Sequence, residues 1–121
     1  MNPPSGQRHH LSARFHHILL GLGDLHDLKQ QDYGAADDPF SNVRSSRDFG
    51  ILPWVGAMVR GNDKMKRLQK FAREGSLANE SVVDSFRDLA VYAIIGLVLY
   101  EEGEGLLLEE VPHNDPAEQR Q

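Results

Sequence analysis

The chain has 121 residues, enough for one domain with a modest core and too few for two. Hydrophobic residues at 40% and charged residues at 26% exclude a wholly disordered chain, and no apolar run is long enough to span a bilayer. The lack of cysteine excludes a disulfide scaffold, a thiolate zinc site, an iron–sulfur cluster and a cysteine nucleophile, while a net charge of −5 argues against a general nucleic-acid binder. With no secretory signal pattern at its start, the chain is expected in the cytoplasm.

Residues 1–12 contain Pro3, Pro4, Gly6 and the pair His9-His10, and read as a mobile arm. Leu11, Phe15, Ile18, Leu19, Leu22 and Leu25 then recur at three- and four-residue steps, which predicts a first helix over 13–31 stopped by Gly34. Its stripe of Phe15, Ile18, Leu19 and Leu22 continues into His26, Lys29 and Tyr33, with Asp32 alongside. The apolar half is expected to pack and the polar half to face something polar. Asp24 and Asp27 form a D-x-x-D pair that projects away from the stripe, as a solvated face would. Residues 34–50, with Asp37, Asp38, Pro39, Asn42 and three serines, read as a long irregular loop, which in a compact domain is usually functional or disordered.

Ile51, Trp54, Met58, Gly61, Met65, Leu68 and Ala72 predict a second helix over 53–73, with Pro53 in its first turn and Gly75 past its end. A break, if any, falls at Gly61 and Asn62. Arg60, Lys64 and Arg67 lie at i, i+4 and i+7, a basic column that fits either a phosphate clamp or ordinary surface charge. The third helix is expected to open at Asn79 as N-cap, with Glu80 at the positive end of the dipole, and to run to about residue 102 before Gly103 and Gly105. From Leu89 to Leu99 it is apolar nearly all round. Such a helix needs burial on every side, and three helices of this size cannot wrap it. Each exposed Leu or Ile that becomes buried contributes about 1.5–3 kcal/mol, so self-association is expected, most simply as a dimer. Residues 106–111 are the only strand candidate, and 112–121 read as a flexible acidic tail. The expected architecture is one all-α domain over 13–111, a bundle of three to four helices completed by oligomerisation.

Polar residues interrupting apolar stripes are the main functional signal. Glu80, Asp84 and Asp88 are four apart and form one column that runs into Val91, Ile95 and Val98. Carboxylates facing an interior need neutralising, and Mg²⁺ or Mn²⁺ would do so, with Asp32 opposite. The other possibility is a solvent edge, paired with Arg87. The histidines His9, His10, His16 and His17 resemble a metal cluster but fit a chance run better. His26-Asp27 is an H-D dipeptide of the kind found in metal phosphohydrolases, without the further ligands that chemistry needs. No phosphate-binding glycine loop and no nucleophile turn is present.

Taken in order, the residues resemble a known family. His26, Lys29, Asp32, Tyr33 and Gly34 read as L-H-x-x-K-x-x-D-Y-G. Asp38-Pro39-Phe40 with Asn42, Pro53-Trp54, and Arg60-x-x-Asp63-Lys64-x-x-Arg67 follow, then Glu80, Asp84, Asp88, Leu89, Ala90 and Tyr92. The series resembles the nucleotide-modification-associated domain of phage and bacterial proteins, which is similar to the all-α nucleoside triphosphate pyrophosphohydrolases of the MazG type. The resemblance covers about residues 15–102. It implies an oligomeric all-helical fold that binds Mg²⁺ through acidic residues on two helices. The reaction it implies is hydrolysis of a nucleoside triphosphate, or a modified relative, to the monophosphate and pyrophosphate. MazG-type enzymes carry E-E-x-x-E on one helix and E-x-x-D on another. Here the first helix offers Asp24 and Asp27, and Ser85 stands three before Asp88.

On the enzyme reading, Glu80, Asp84, Asp88 and Asp32 bind metal, and Asp84 orients or deprotonates the attacking water. Lys29, Arg60, Lys64 and Arg67 hold phosphates, while His26, Tyr33 and Asn42 meet base or sugar. The alternative is a non-catalytic all-α module that binds a nucleotide or a partner protein through the same pocket, favoured by the acid missing from each motif. No membrane or nucleic-acid partner is expected.

Overall fold

The computed structural model describes residues 8–33, 38–78 and 81–106, and the side chains of 30–33 lie outside that description. The protein is all-α. In chain order it has α1 (His10–Tyr33), the short α2 (Ser41–Arg44), a 3₁₀ turn (Ser45–Phe49), α3 (Pro53–Glu74) and α4 (Val82–Gly103). No strand occurs among the described residues, and no described helix is long and apolar enough to cross a membrane.

The centre of the fold is the antiparallel hairpin of α3 and α4. Trp54 meets Tyr100 edge-on at one end, with ring centroids 6.1 Å apart. Gly96 lies against Ala57 and Met58, and Gly61 lies against Leu89 and Tyr92. Gly96, where a Cβ would meet Met58 Cε at 2.8 Å, lets α3 approach α4 closely at that level. Val43, Ala57, Ile95 and Leu99 form the buried core, with Phe40, Val91 and Tyr92 packed on it. Pro53 sits in the first turn of α3, and Gly75 ends that helix with φ +76°, a left-handed conformation that a Cβ would strain.

Several boundaries differ from expectation. α1 begins at His10, so part of the predicted arm is helical; residues 1–7 lie outside the described residues. The predicted irregular loop contains α2 and the 3₁₀ turn, which Gly50 closes with φ +72°. Proline and serine composition had masked these short turns. α3 shows no break at Gly61, because Gly61 is a buried packing residue and not a punctuation mark. α4 is capped by Ser81, whose hydroxyl accepts the Asp84 N–H at 3.0 Å, in place of the expected Asn79. Asn79 and Glu80 lie outside the described residues, as do the strand candidate beyond Leu106 and the tail.

The largest departure concerns α1. Its apolar half was expected to pack, but Leu22, 6% exposed, is the only buried hydrophobic residue among its described side chains. Leu11, Phe15, Ile18 and Leu19 are all exposed. α4 is likewise covered on one side only: Ser85, Ile95, Gly96 and Leu99 are buried, while Val83, Phe86, Ile94 and Leu97 face outward.

Candidate functional site

A cleft of about 310 Å³ opens where α1, the segment entering α2, α3 and α4 come together. On α1, Leu25, His26 and Lys29 share one face by their three- and four-residue spacing and line one wall. Asp88, Val91, Tyr92 and Ile95 do the same from α4, with Val91 and Ile95 continuous with the core. Arg60 enters from α3, and Pro39, Phe40, Asn42 and Val43 enter from the segment before and within α2. The cleft therefore has an apolar, aromatic floor and a charged rim.

The floor is organised by a ring pair. His26 stacks on Phe40 with centroids 5.4 Å apart and planes at 28°. The rim is organised by Asp88, 19% exposed, whose Oδ2 lies 3.1 Å from Lys64 Nζ and whose Oδ1 lies 3.5 Å from Lys29 Nζ. One carboxylate on α4 thus ties down cations from α3 and α1.

A second ion-pair network fixes the segment that carries Phe40 and Asn42. Arg44 Nε donates to Asp38 Oδ2 at 2.5 Å, and its Nη2 donates to Glu102 Oε2 at 2.9 Å. Nη1 also donates to Glu102 Oε1, giving the forked geometry that favours Arg over Lys. Asp38 Oδ1 accepts the Phe40 N–H at 3.0 Å, a local turn that presents the phenyl ring to the cleft. Burial pushes the Asp38 carboxyl up, but the Phe40 N–H and Arg44 outweigh it and hold the group below its usual range. The hydrogen bonds from Arg44, opposed by burial, lower Glu102 as well. The bond to Glu102 in turn raises Arg44 above its ordinary value.

Of the residues predicted for the site, the structure brings His26, Lys29, Asn42, Arg60 and Asp88 to this cleft. Lys64 stands behind Asp88 as its ion-pair partner, and Arg67 is exposed on α3. Asp84 does not line the cleft. Its side chain is 60% exposed and lies 3.9 Å from Arg87, the solvent-edge arrangement that was the other possibility for the acidic column. The reason is helical geometry: Asp84 stands about 100° round the helix from Ser85, the buried residue of the same turn, so its side chain turns outward. Asp24 and Asp27 are exposed, as expected of a solvated face. The side chains of Asp32 and Tyr33, and all of Glu80, lie outside the described residues.

Among the described residues, no group of three His, Asp or Glu side chains converges in a way that would hold a metal ion. Asp88 faces two ammonium groups, and Asp84 faces solvent and Arg87. Ser85, three before Asp88, is fully buried and its hydroxyl donates to the Ser81 carbonyl at 3.2 Å, so an acid at that position would be forced into the α3–α4 seam.

Sequence reasoning missed Phe40 and Tyr92 as floor residues and the whole Arg44 network. Phe40 follows Asp38 in an Asx-type turn, a local signal that was available. Glu102 lies 58 residues from Arg44, and no periodicity links them. Comparison with family models, curated proteins and solved structures finds no match to this chain.

Proposed function

We propose that this chain is a cytoplasmic all-α nucleotide-binding module whose cleft takes a nucleoside triphosphate, ordinary or base-modified. The observation that carries this reading is the convergence of an aromatic floor and two cations in one cleft: His26 on Phe40, with Tyr92, beside Lys29 and Arg60. An aromatic floor suits a base, since base–aromatic stacking is worth about 1–3 kcal/mol. Lys29 and Arg60 supply donors for phosphate oxygens. Asn42, with both donor and acceptor, suits the edge of a base or a sugar hydroxyl. A volume near 300 Å³ holds a nucleoside while its phosphates reach the rim. The resemblance over residues 15–102 to the nucleotide-modification-associated domain supports the same ligand class.

Mg²⁺-dependent hydrolysis to the monophosphate and pyrophosphate is the second reading, and the four-residue spacing of Asp84 and Asp88 on α4 favours it. The residues gathered in the cleft support binding more directly than turnover. Calorimetric titration with a panel of ordinary and base-modified deoxynucleoside triphosphates, with and without Mg²⁺, tests the proposal. At least one member should bind at micromolar Kd, and Arg60→Ala should weaken it by about tenfold or more, the worth of a charge-assisted hydrogen bond. Absence of binding across the panel would overturn the reading. Pyrophosphate release that Asp84→Asn abolishes would replace the binding module with the hydrolase.

The working unit in this reading is a homo-oligomer, supported by the exposed apolar residues of α1 and α4.

A further inference from the structure

We infer that a second groove, on the flank of α1 away from the cleft, is an anion site for the phosphate of a small phosphomonoester with an apolar body. This inference does not depend on the nucleotide reading. The groove has a volume of about 290 Å³ and lies between α1 and α4. Leu25 lines both the groove and the cleft. At about 100° per residue, His26 stands about 100° to one side of Leu25, whereas Gly21 and His17 stand about 40° and 80° to the other. The two openings therefore flank the same helix. On α4 the matching change of side is from Asp88 to its neighbour Arg87.

The charges in the groove carry the inference. Arg14 and His17 enter from α1 and Arg87 from α4, and no acid lines the groove. In a chain of net charge −5, two guanidiniums and an imidazole gathered from two helices invert the local sign. Among the described residues, Arg14 and His17 have no hydrogen bond or ion pair of their own. Arg87 lies 3.9 Å from Asp84, at the long limit of an ion pair between side chains 47% and 60% exposed, and such a pair holds its members weakly. Gly21 follows His17 by one turn, and a Cβ there would meet nothing within 4 Å. Bare backbone thus leaves open space between the cations.

The chemistry of the lining selects the ligand. Guanidinium forks match phosphate oxygens in pairs. A phosphomonoester carries about −1.5 to −2 charges at neutral pH, enough to satisfy an arginine on each helix. Ile18, Leu22 and Leu25 supply an apolar wall beside the cations, which suits a carbon body attached to the phosphate. Bound there, the phosphate bridges α1 to α4.

Nuclear magnetic resonance of the isotope-labelled full chain, titrated with inorganic phosphate and with phenyl phosphate at constant ionic strength in chloride, tests this. The His17 amide and the Arg87 Nε–H should shift together and saturate. Phenyl phosphate should bind more tightly than inorganic phosphate, because its ring meets the apolar wall. Arg14→Gln and Arg87→Gln should each weaken binding by about tenfold or more, the worth of a charge-assisted hydrogen bond. Both positions are exposed, so the helices should be unchanged by circular dichroism. Gly21→Glu, which puts a carboxylate into open space, should abolish the response of His17 with the fold intact. Shifts that do not saturate, or that survive Arg14→Gln and Arg87→Gln and vanish in Arg60→Gln, overturn the site, the latter by placing the phosphate in the cleft. Inorganic phosphate binding as tightly as phenyl phosphate overturns the monoester as the ligand.

Discussion

Asp88 neutralises Lys29 and Lys64 where an incoming phosphate would also meet cations. It therefore competes with any anion for the same ammonium groups. Asp88→Asn removes the competitor and keeps the side-chain volume, so triphosphate affinity in metal-free buffer should rise by roughly fivefold, equivalent to about 1 kcal/mol of partly exposed ion pairing. Isothermal titration measures it, and weaker binding by the variant would show that the carboxylate itself contacts the ligand. Arg44 has a different consequence. Its two partners, Asp38 and Glu102, are held below their ordinary values of 3.8 and 4.5. A carboxylate with a lower pKa in the folded state stabilises the fold above the unfolded pKa, and that contribution is lost as pH falls through the folded pKa. Thermal melting followed from pH 6 down to about pH 3 should therefore drop more steeply in the wild type than in Arg44→Met, which has no such network to lose. Parallel curves would mean that the network does not contribute to stability.

At the level of elements, two glycines on α3 separate close approach from spare room. A Cβ on Gly56 would meet the Ser46 side chain at 2.7 Å, so the 3₁₀ turn is seated on bare backbone. A Cβ on Gly61 would meet Tyr92 and Leu89 at 3.5 and 3.6 Å, ordinary van der Waals contact. Gly61→Ala should raise stability by about 0.5–1 kcal/mol through helix propensity, while Gly56→Ala should lower it by about 1–3 kcal/mol through overpacking. Urea unfolding of the pair checks both signs. The same contrast shows what could be read from the sequence. Pro53, Gly75 and the seven-residue recurrence from Ile51 to Ala72 predict α3 to within a residue, because propensity, period and caps agree. The period of α4 is equally plain, but its start was misplaced because Asn79 and Ser81 are both good caps and only the Asp84 N–H distinguishes them. Within the cleft, His26, Lys29 and Asp88 were legible as polar continuations of apolar stripes, and Arg60 as part of a basic column beside one. Phe40 and Arg44 were not, since their partners are fixed by tertiary contact and leave no periodic trace.

For the molecule as a whole, apolar surface on α1 and α4 makes stability a matter of concentration. If the association proposed above buries this surface, the melting temperature should rise with protein concentration, because assembly favours the folded state by mass action. Scanning calorimetry from a few micromolar to several hundred micromolar would reveal it, and a constant midpoint would count against association. Leu22 as the sole buried hydrophobic among the described side chains of α1 also bears on the order in which structure forms. The α3–α4 hairpin joins neighbours in sequence through a short connection, a local topology that closes at small entropic cost and folds early. α1 has little tertiary contact to hold its backbone hydrogen bonds, and helical propensity alone is marginal even over 24 residues. Its amides should thus exchange with deuterated solvent well before those of α3 and α4 in dilute protein, and slow down as chains associate, so the first helix would acquire its protection from a neighbour and not from its own fold.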